Sequence, residues 1–258
     1  MTSLANPYLI ADTDAVEPSS TSTSPLSSPD SLPDSDYSPV TPPHDPHALP
    51  VFSPTSLTHP SKPILYLPPL LSSLPYPHPP HIPTSAPIPI KRTETRLPDI
   101  DPASLSLHRA LHHFAPVVES YAHAKYADAF NWDELELPED EEREWYCVAF
   151  RSIRKQGSEA GPLYEADKLA HEEAVRNGGL ILYWYGTPDP QTGLNLATCI
   201  WQSRAHAIAA NARPHHIRAM RLAAASYDTY QLERYVLRKV RGSRGVEVHP
   251  FEGGNVGW

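Results

Sequence analysis

The distribution of proline constrains this chain more than any other feature. Of its 31 prolines, 23 fall within residues 1–100, together with 16 serines and neither glycine nor tryptophan. Proline fixes φ and removes a backbone N–H donor, so a run this dense cannot build helices or central strands. Few large apolar groups are present there to offset the entropy of ordering. We therefore predict a disordered Pro/Ser-rich arm over residues 1–100 and a single α+β domain over residues 101–258.

Charge and hydropathy exclude several classes of partner. The formal charge of −9 is spread over both parts, so neither offers a basic surface that would attract nucleic acid or anionic lipid. No apolar stretch reaches the length of about 18 residues that a membrane span requires, and no targeting segment is evident. Cys147 and Cys199 lie in apolar runs without redox or zinc spacing, so we predict buried, reduced thiols. The expected location is cytoplasmic, nuclear or both.

The arm contains two features that could engage a protein partner. Residues 63–90 are its most apolar part and could lie in a groove as polyproline II, or serve only as a linker. Proline-directed kinases could phosphorylate its five Ser/Thr-Pro pairs, although such pairs also arise by chance in a tract of this composition. These pairs are Ser24-Pro25, Ser28-Pro29, Ser38-Pro39, Thr41-Pro42 and Ser53-Pro54.

Hydrophobic periodicity divides the domain into alternating elements. Asp101 is a suitable N-cap and Pro102 a suitable first residue for a helix, and Gly178-Gly179 is a typical helix stop. Alternating or aromatic runs bounded by turn residues predict strands. The expected elements are helices at 101–114 and 116–130, an acidic loop at 131–144, strand 145–152, helix 165–177, strands 180–186 and 194–203, a helix from 203 to 227 that restarts at Pro214, strand 230–240 and a Gly-rich tail at 241–258.

This order predicts a ferredoxin-like βαββαβ core over residues 145–240, an antiparallel sheet with two helices on one face, after a helical lead-in at 101–130. The strand Leu180–Tyr185 is apolar on both sides. A sheet covered on only one face should alternate apolar and polar residues. Either the lead-in helices or a second subunit must therefore cover the other face.

Three stretches resemble a family of uncharacterised fungal proteins with no assigned biochemical function. They are YEADKLAHEEAVRNGGLILYWYG, GLNLATCIWQSRAHAIAANARPHHIRAM and AAASYDTYQLERYVLRK, and the resemblance extends over about residues 120–258. A strand ending in Ile-Trp-Gln-Ser before a helix beginning Arg-Ala-His also resembles the dimeric α/β-barrel superfamily. That resemblance implies face-to-face pairing of two sheets in a homodimer, in a superfamily that includes cofactor-free monooxygenases and proteins without known activity. Fold alone does not fix function.

Histidines near the second helix of the core are the candidate catalytic residues. His206, His215 and His216, with Asn211, follow the strand that ends at Trp201. Neutral imidazole can act as a general base. Trp201, Tyr183 and Tyr185 are the candidate ligand-binding residues, because they could form an apolar wall. The alternative is structural: adjacent histidines face different sides of a helix, and one could simply cap a helix or satisfy a carbonyl.

No metal or cofactor is predicted. The spacing of His206, His215 and His216 is not a recognised metal pattern, and the i, i+4 pair His108 and His112 lacks an evident third ligand. The nucleophile elbow, the P-loop and the dinucleotide fingerprint are absent from the sequence.

Two functions remain open, and the sequence does not decide whether the protein is an enzyme. The first is a domain of the dimeric α/β-barrel type that binds or transforms a small apolar ligand. The second is a non-catalytic adaptor with a phosphorylatable arm. A ligand-sized cavity would favour the first function, and a filled core with a flat apolar surface would favour the second.

Overall fold

Strands with apolar residues on both sides form the centre of the fold. The computed structural model describes residues 62–71, 100–158 and 161–257, all within the unit Pro43–Trp258. The predicted disorder of the arm concerns residues that lie mostly outside these ranges. The strands are β1 Ile64–Tyr66, β2 Arg143–Arg154, β3 Leu180–Tyr185, β4 Leu194–Trp201, β5 Tyr227–Lys239 and β6 Glu247–Pro250.

These strands make one sheet in the order β1-β3-β4-β2-β5-β6, and every neighbouring pair is antiparallel. The helices are α1 Pro102–Ala110, α2 Tyr126–Ala129, α3 Gly161–Asn177, α4 Arg204–Asn211 and α5 Pro214–Ser226, with 3₁₀ turns at Leu111–His113 and Trp132–Glu134. The predicted mixed α/β class with an antiparallel sheet is confirmed. α4 ends before Pro214 and α5 begins at it, so the helix predicted over residues 203–227 is two helices.

Two edge strands were not predicted. β1 comes from residues assigned to the arm, so the boundary at residue 100 is wrong for residues 62–71. β6 comes from the stretch taken as a Gly-rich tail. Both strands are short, with three and four residues, and too short to show the alternation on which strand prediction depends. Proline is also compatible with a sheet edge, where a backbone donor can be spared.

The second lead-in helix, expected at 116–130, is also wrong for most of its length, since only Tyr126–Ala129 is helical. Val117 and Val118 are 53% and 40% exposed, so they do not form the buried stripe that would stabilise a helix. The Asn131 amide instead bonds the backbone on the other side of this loop, accepting from Ala115 N at 2.9 Å and donating to His113 O at 2.9 Å.

One face of the sheet, here called the N-terminal face, is covered by residues 100–137, which we call the lead-in. Alternation along β2 directs Trp145, Cys147 and Ala149 into this layer. The ring of Trp184 on β3 lies edge-on to Phe130, with centroids 4.9 Å apart. The lead-in of the same chain therefore covers the N-terminal face, which is the first of the two predicted arrangements.

Buried polar groups attach the lead-in to the sheet. Asp101 caps α1 by accepting from Ser104 N at 2.8 Å, and its Oδ1 lies 3.3 Å from Nε of Arg143 on β2. The Trp145 indole donates to Ser104 Oγ at 2.9 Å. These bonds satisfy groups that would be costly to bury alone, so they also fix where the lead-in lies.

The opposite face, here called the helix face, packs against the helices that follow β2 and β4. Ala174 of α3 and Ala207 and Ala210 of α4 join a second buried cluster with Tyr146 and Trp201. α5 packs against α3. Small alanines allow these helices to approach the sheet closely.

Candidate functional site

The helix face is sealed at one end and open at the other. Leu180, Trp201, Tyr146 and Val236 are register partners across four strands, and all are buried. At the other end the corresponding row is Tyr185, Ala197, Phe150 and Leu232. There the three side chains of the inner strands are half-buried and Leu232 is 40% exposed. Ala197 carries the smallest side chain of this row.

Aromatic side chains surround this open end, which we call the tyrosine cleft. Its members are Phe150, Tyr183, Tyr185, Tyr227 and Tyr230, with Ala197 between them. Tyr183 lies 4.4 Å from Tyr185 and 6.3 Å from Phe150 by ring centroids. Phe150 in turn lies 6.4 Å from Tyr230, which stacks on Tyr227 at 5.6 Å. The rings therefore form a continuous apolar surface, and Tyr230 is 41% exposed.

The polar end of the tyrosine cleft is built by α3. Asp167 and His171 are four residues apart, so they project from the same side of the helix. The Tyr185 hydroxyl lies 2.7 Å from His171 Nδ1 and 3.4 Å from Asp167 Oδ2. Nδ1 of His171 is itself 3.6 Å from Asp167 Oδ2. A carboxylate, an imidazole and a phenol are thus within reach of one another, and this combination can orient a ligand or relay a proton.

The hydroxyls of the tyrosine cleft stay protonated. Burial raises the pKa of Tyr183 and of Tyr185 well above the ordinary value of 10.0, and the negative charge of Asp167 raises both further. Burial, followed by Asp167, also raises the pKa of Tyr227 to about 12. The phenols are therefore neutral at physiological pH and can donate hydrogen bonds, but they are not nucleophiles.

His216 lies behind this polar end, on α5. Burial and then the proximity of His171 lower the pKa of His216, so its ring is neutral near physiological pH. Its Nδ1 is buried and has no hydrogen-bond partner among the residues that the structure describes. The backbone N–H groups of His215 and His216 both donate to Glu173 Oε2, at 3.0 and 3.1 Å. Glu173 thereby caps the first turn of α5.

The other predicted site residues lie elsewhere. His206 is buried on α4 and its Nδ1 is 2.7 Å from Ser203 Oγ. Burial and then the positive charge of Arg143 lower the pKa of His206 to about 4. Trp201 lies in the sealed row and donates to Cys199 Sγ at 3.0 Å. Asn211 is exposed at the end of α4.

The structure therefore brings together Tyr183, Tyr185 and His216 out of the predicted set. It adds Asp167 and His171, which the sequence reasoning missed. Their i, i+4 spacing in a helix was visible, but nothing in the sequence showed which side of the helix faces the sheet.

Within the described ranges, no group of three or more histidine, cysteine, aspartate or glutamate side chains could hold a metal ion. The helices of the same ranges include none that is long and apolar enough to cross a membrane. Both cysteines are free and buried. Burial raises the pKa of the Cys199 thiol to about 12, so it is not a ready nucleophile.

The PB2B2.08-like family matches residues 84–250, which is more than half of the chain. The chain belongs to this family. A relative, UPF0643 protein PB2B2.08 of Schizosaccharomyces pombe, is 35% identical over 137 residues. That match covers 47% of this chain and 62% of the relative, so it spans less than two thirds of the relative's length.

Solved structures with ferredoxin-like domains are also similar. SnoaB, a cofactor-independent oxygenase from Streptomyces nogalater, has 13% identity and a TM-score of 0.32 over 39% of this chain and 99% of its own. A candidate antibiotic biosynthesis monooxygenase from Nitrosomonas europaea has 13% identity and a TM-score of 0.30 over 43% of this chain and 93% of its own.

Proposed function

We propose that this member of the PB2B2.08-like family binds a small, largely apolar ligand in the tyrosine cleft. We also infer that β2, α3, β3, β4, the α4–α5 pair and β5 form a ferredoxin-like βαββαβ unit. The strand order β3-β4-β2-β5 supports that unit, because it interleaves two βαβ halves. The cleft then lies between the sheet and the helices of one chain.

The observation that carries the proposal is a polar group of residues at the end of an apolar surface. Ligand sites are typically concave and apolar, with a few placed polar groups that set orientation. Here Phe150 and the tyrosines supply the apolar surface, and Asp167, His171 and Tyr185 supply the polar end. A ligand hydroxyl or amine would meet the Tyr185 hydroxyl or the His171 ring. His171 could also accept a proton from a bound ligand if the site is catalytic.

The predicted homodimer stays a prediction, but its expected interface changes. Pairing through the N-terminal face was proposed because both sides of β3 are apolar. The lead-in now accounts for that apolar side, since Trp184 packs against Phe130. A homodimer would therefore use another surface, and the proposed binding does not depend on it.

A fluorescence titration of the full chain with 2-naphthol, a fluorescent apolar phenol, tests the proposal. We expect saturable binding that Ala197→Leu abolishes, because a leucine would add bulk between Tyr185 and Phe150, the register partners of Ala197. We expect Tyr185→Phe to weaken binding about tenfold, the effect of one lost hydrogen bond to a ligand. Tyr235→Phe is the matched control, since its hydroxyl donates to Glu233 on the N-terminal face at 2.7 Å. Absence of saturable binding, or equal binding by the Ala197→Leu variant, would overturn the proposal.

The second candidate function is a non-catalytic adaptor. It is favoured by one observation: residues 64–66, which belong to the proline-rich region, add a strand to the sheet edge by pairing with β3. The arm and the domain are therefore coupled, and a partner that binds the arm could use this coupling. A pull-down that recovers the same partners with and without residues 1–61 would remove the arm from this function.

A further inference from the structure

We propose that the ligand of the tyrosine cleft is an organic cation, a protonated amine whose ammonium group lies against Asp167 and whose carbon skeleton lies against the tyrosine rings. This inference rests on the proposed function, because it names the chemical class of the ligand that the same cleft would bind. It goes further in assigning Asp167 as the residue that determines specificity.

Among the described residues, Asp167 is a carboxylate that pairs with a histidine but with no lysine or arginine. Its side chain is 30% exposed and contacts the His171 ring and the Tyr185 hydroxyl. Among the ion pairs of residues 62–71, 100–158 and 161–257, none joins Asp167 to a lysine or arginine. Arg154 donates instead to Ser158 and Tyr164. A partly desolvated carboxylate in this position favours a cation.

The negative charge of Asp167 acts on the whole aromatic surface. Asp167 contributes to the raised pKa values of Tyr183, Tyr185, Tyr227 and Tyr230, in each case after burial. Its field therefore reaches each tyrosine of the cleft. Aromatic ring faces carry negative potential and attract ammonium groups, most strongly where water is partly excluded. Tyrosine rings beside a carboxylate are therefore a suitable site for an organic cation.

The other groups near the polar end of the tyrosine cleft do not favour an anion. Glu173, six residues after Asp167 on α3, is a further carboxylate, and it caps α5. Burial lowers the pKa of His216, and its buried Nδ1 has no hydrogen-bond partner within the described ranges. An anionic ligand would meet the Asp167 carboxylate, and a purely apolar ligand would leave that carboxylate desolvated without compensation.

Two probes of the same shape distinguish the effect of charge on affinity from the effect of apolar contact. Benzylammonium and benzyl alcohol carry the same ring and differ in the charged group. Calorimetric or NMR titration of the full chain at about pH 8 keeps free imidazole neutral. We expect benzylammonium to bind about tenfold more tightly than benzyl alcohol, in line with a cation–π contact assisted by a carboxylate. High salt should reduce this preference.

The matched variants are Asp167→Asn and Asp128→Asn. Both remove one negative charge, but Asp128 is exposed on α2, in the lead-in on the opposite side of the sheet. Asp167→Asn should remove the preference for benzylammonium over benzyl alcohol, whereas Asp128→Asn should keep the preference of the native chain. Circular dichroism of each variant establishes that the fold is retained, and the comparison of the two probes on the native chain does not depend on any variant.

Three outcomes would overturn the inference in distinguishable ways. If both probes bind equally and both lose affinity in the Ala197→Leu variant, the cleft binds apolar ligands and the cation assignment is wrong. If benzylammonium binds more tightly but the preference persists in Asp167→Asn, the cation site lies elsewhere. If neither probe binds and 2-naphthol does not bind either, the proposed function fails together with the inference.

Discussion

His206 is buried where a proton on its ring would be unfavourable. Its side chain is 2% exposed and lies close to Gly179, whose backbone has φ +82 and where a Cβ would come within 2.2 Å of the ring. Glycine at position 179 therefore permits this close packing. Burial is the main reason that the pKa of His206 falls to about 4, and the charge of Arg143 is the second.

This lowered pKa predicts a pH dependence of stability. The unfolded chain binds a proton near the ordinary imidazole value of 6.5, but the folded chain binds it only near pH 4. Between these values the unfolded state holds more protons, so the free energy of unfolding falls as the pH falls. The contribution of neutral His206 to the free energy of unfolding is fully present above pH 6.5. It is lost as the pH falls to about 4, and the loss amounts to about 3 kcal/mol. Urea unfolding at intervals of pH measures it.

The variant His206→Asn isolates this contribution from other titrating groups. Its free energy of unfolding should depend less steeply on pH over the same interval than that of the native chain. His249→Asn is the control, since the His249 side chain is 41% exposed and pairs with Glu247 at the surface. Equal slopes for His206→Asn and the native chain would show that His206 is not responsible.

A residue could be assigned to the candidate site from the sequence where a local pattern fixes the direction of its side chain. It could not be assigned where packing fixes that direction. Tyr183 and Tyr185 could be assigned to one side of a strand because side chains alternate. Asp167 and His171 could not, because both sides of α3 carry charged residues and only the packed structure shows which side faces the sheet. For the His215-His216 pair, the sequence could not say which ring lies beside His171; the structure places His216 there.

Strand β1 and the residues that follow it, up to residue 71, are more deeply buried than the shortness of the strand suggests. Tyr66, Leu67 and Leu70 are 1%, 0% and 4% exposed, and the carbonyl of Leu71 accepts from Gly179 N at 2.6 Å. The Tyr66 ring lies 6.4 Å from the His171 ring, edge-on. β1 therefore covers the edge of β3 and one side of the polar end of the tyrosine cleft.

Truncation at two points separates β1 from the rest of the arm. Removal of residues 1–71 should lower the free energy of unfolding by about 4 kcal/mol, because two leucines and a tyrosine lose their burial. Removal of residues 1–61 keeps β1 and should leave the free energy of unfolding within about 0.5 kcal/mol of the native value. Denaturant unfolding of both chains is the measurement. Equal stability of the two truncated chains would mean that β1 contributes nothing to the fold.

Helices and strands were predicted well where the hydrophobic periodicity extends over many residues. β2 to β5 and α3 each extend over enough residues for alternation or helical spacing to be recognised, and Gly178-Gly179 marked the end of α3. β1 and β6 depend on long-range pairing with a strand already in place, so their own sequence carries little signal. The segment 116–125 looked helical from its composition, but the contacts of Asn131 and the lead-in core determine its path.

At the scale of the whole molecule, the lead-in and the sheet share one core. Trp132 of the lead-in lies within 5.1 Å of Phe114 by ring centroids, and Phe114 in turn meets Trp184 of β3 at 6.5 Å. Separation of the lead-in would expose the N-terminal face. We therefore infer that lead-in and sheet unfold together, in one transition seen alike by tryptophan fluorescence and circular dichroism.

The Asp101–Arg143 pair tests how firmly these two parts are joined. Both side chains are almost fully buried, at 1% and 2% exposure, so removal of one leaves an uncompensated charge in the core. Asp101→Ala should lower the free energy of unfolding by about 3–5 kcal/mol, and Arg143→Met by a similar amount. The double variant should lose clearly less than the sum, because no lone charge remains. Additive losses would mean that the two residues act independently. In that case the aromatic layer around Trp184, rather than this pair, would hold the lead-in on the sheet.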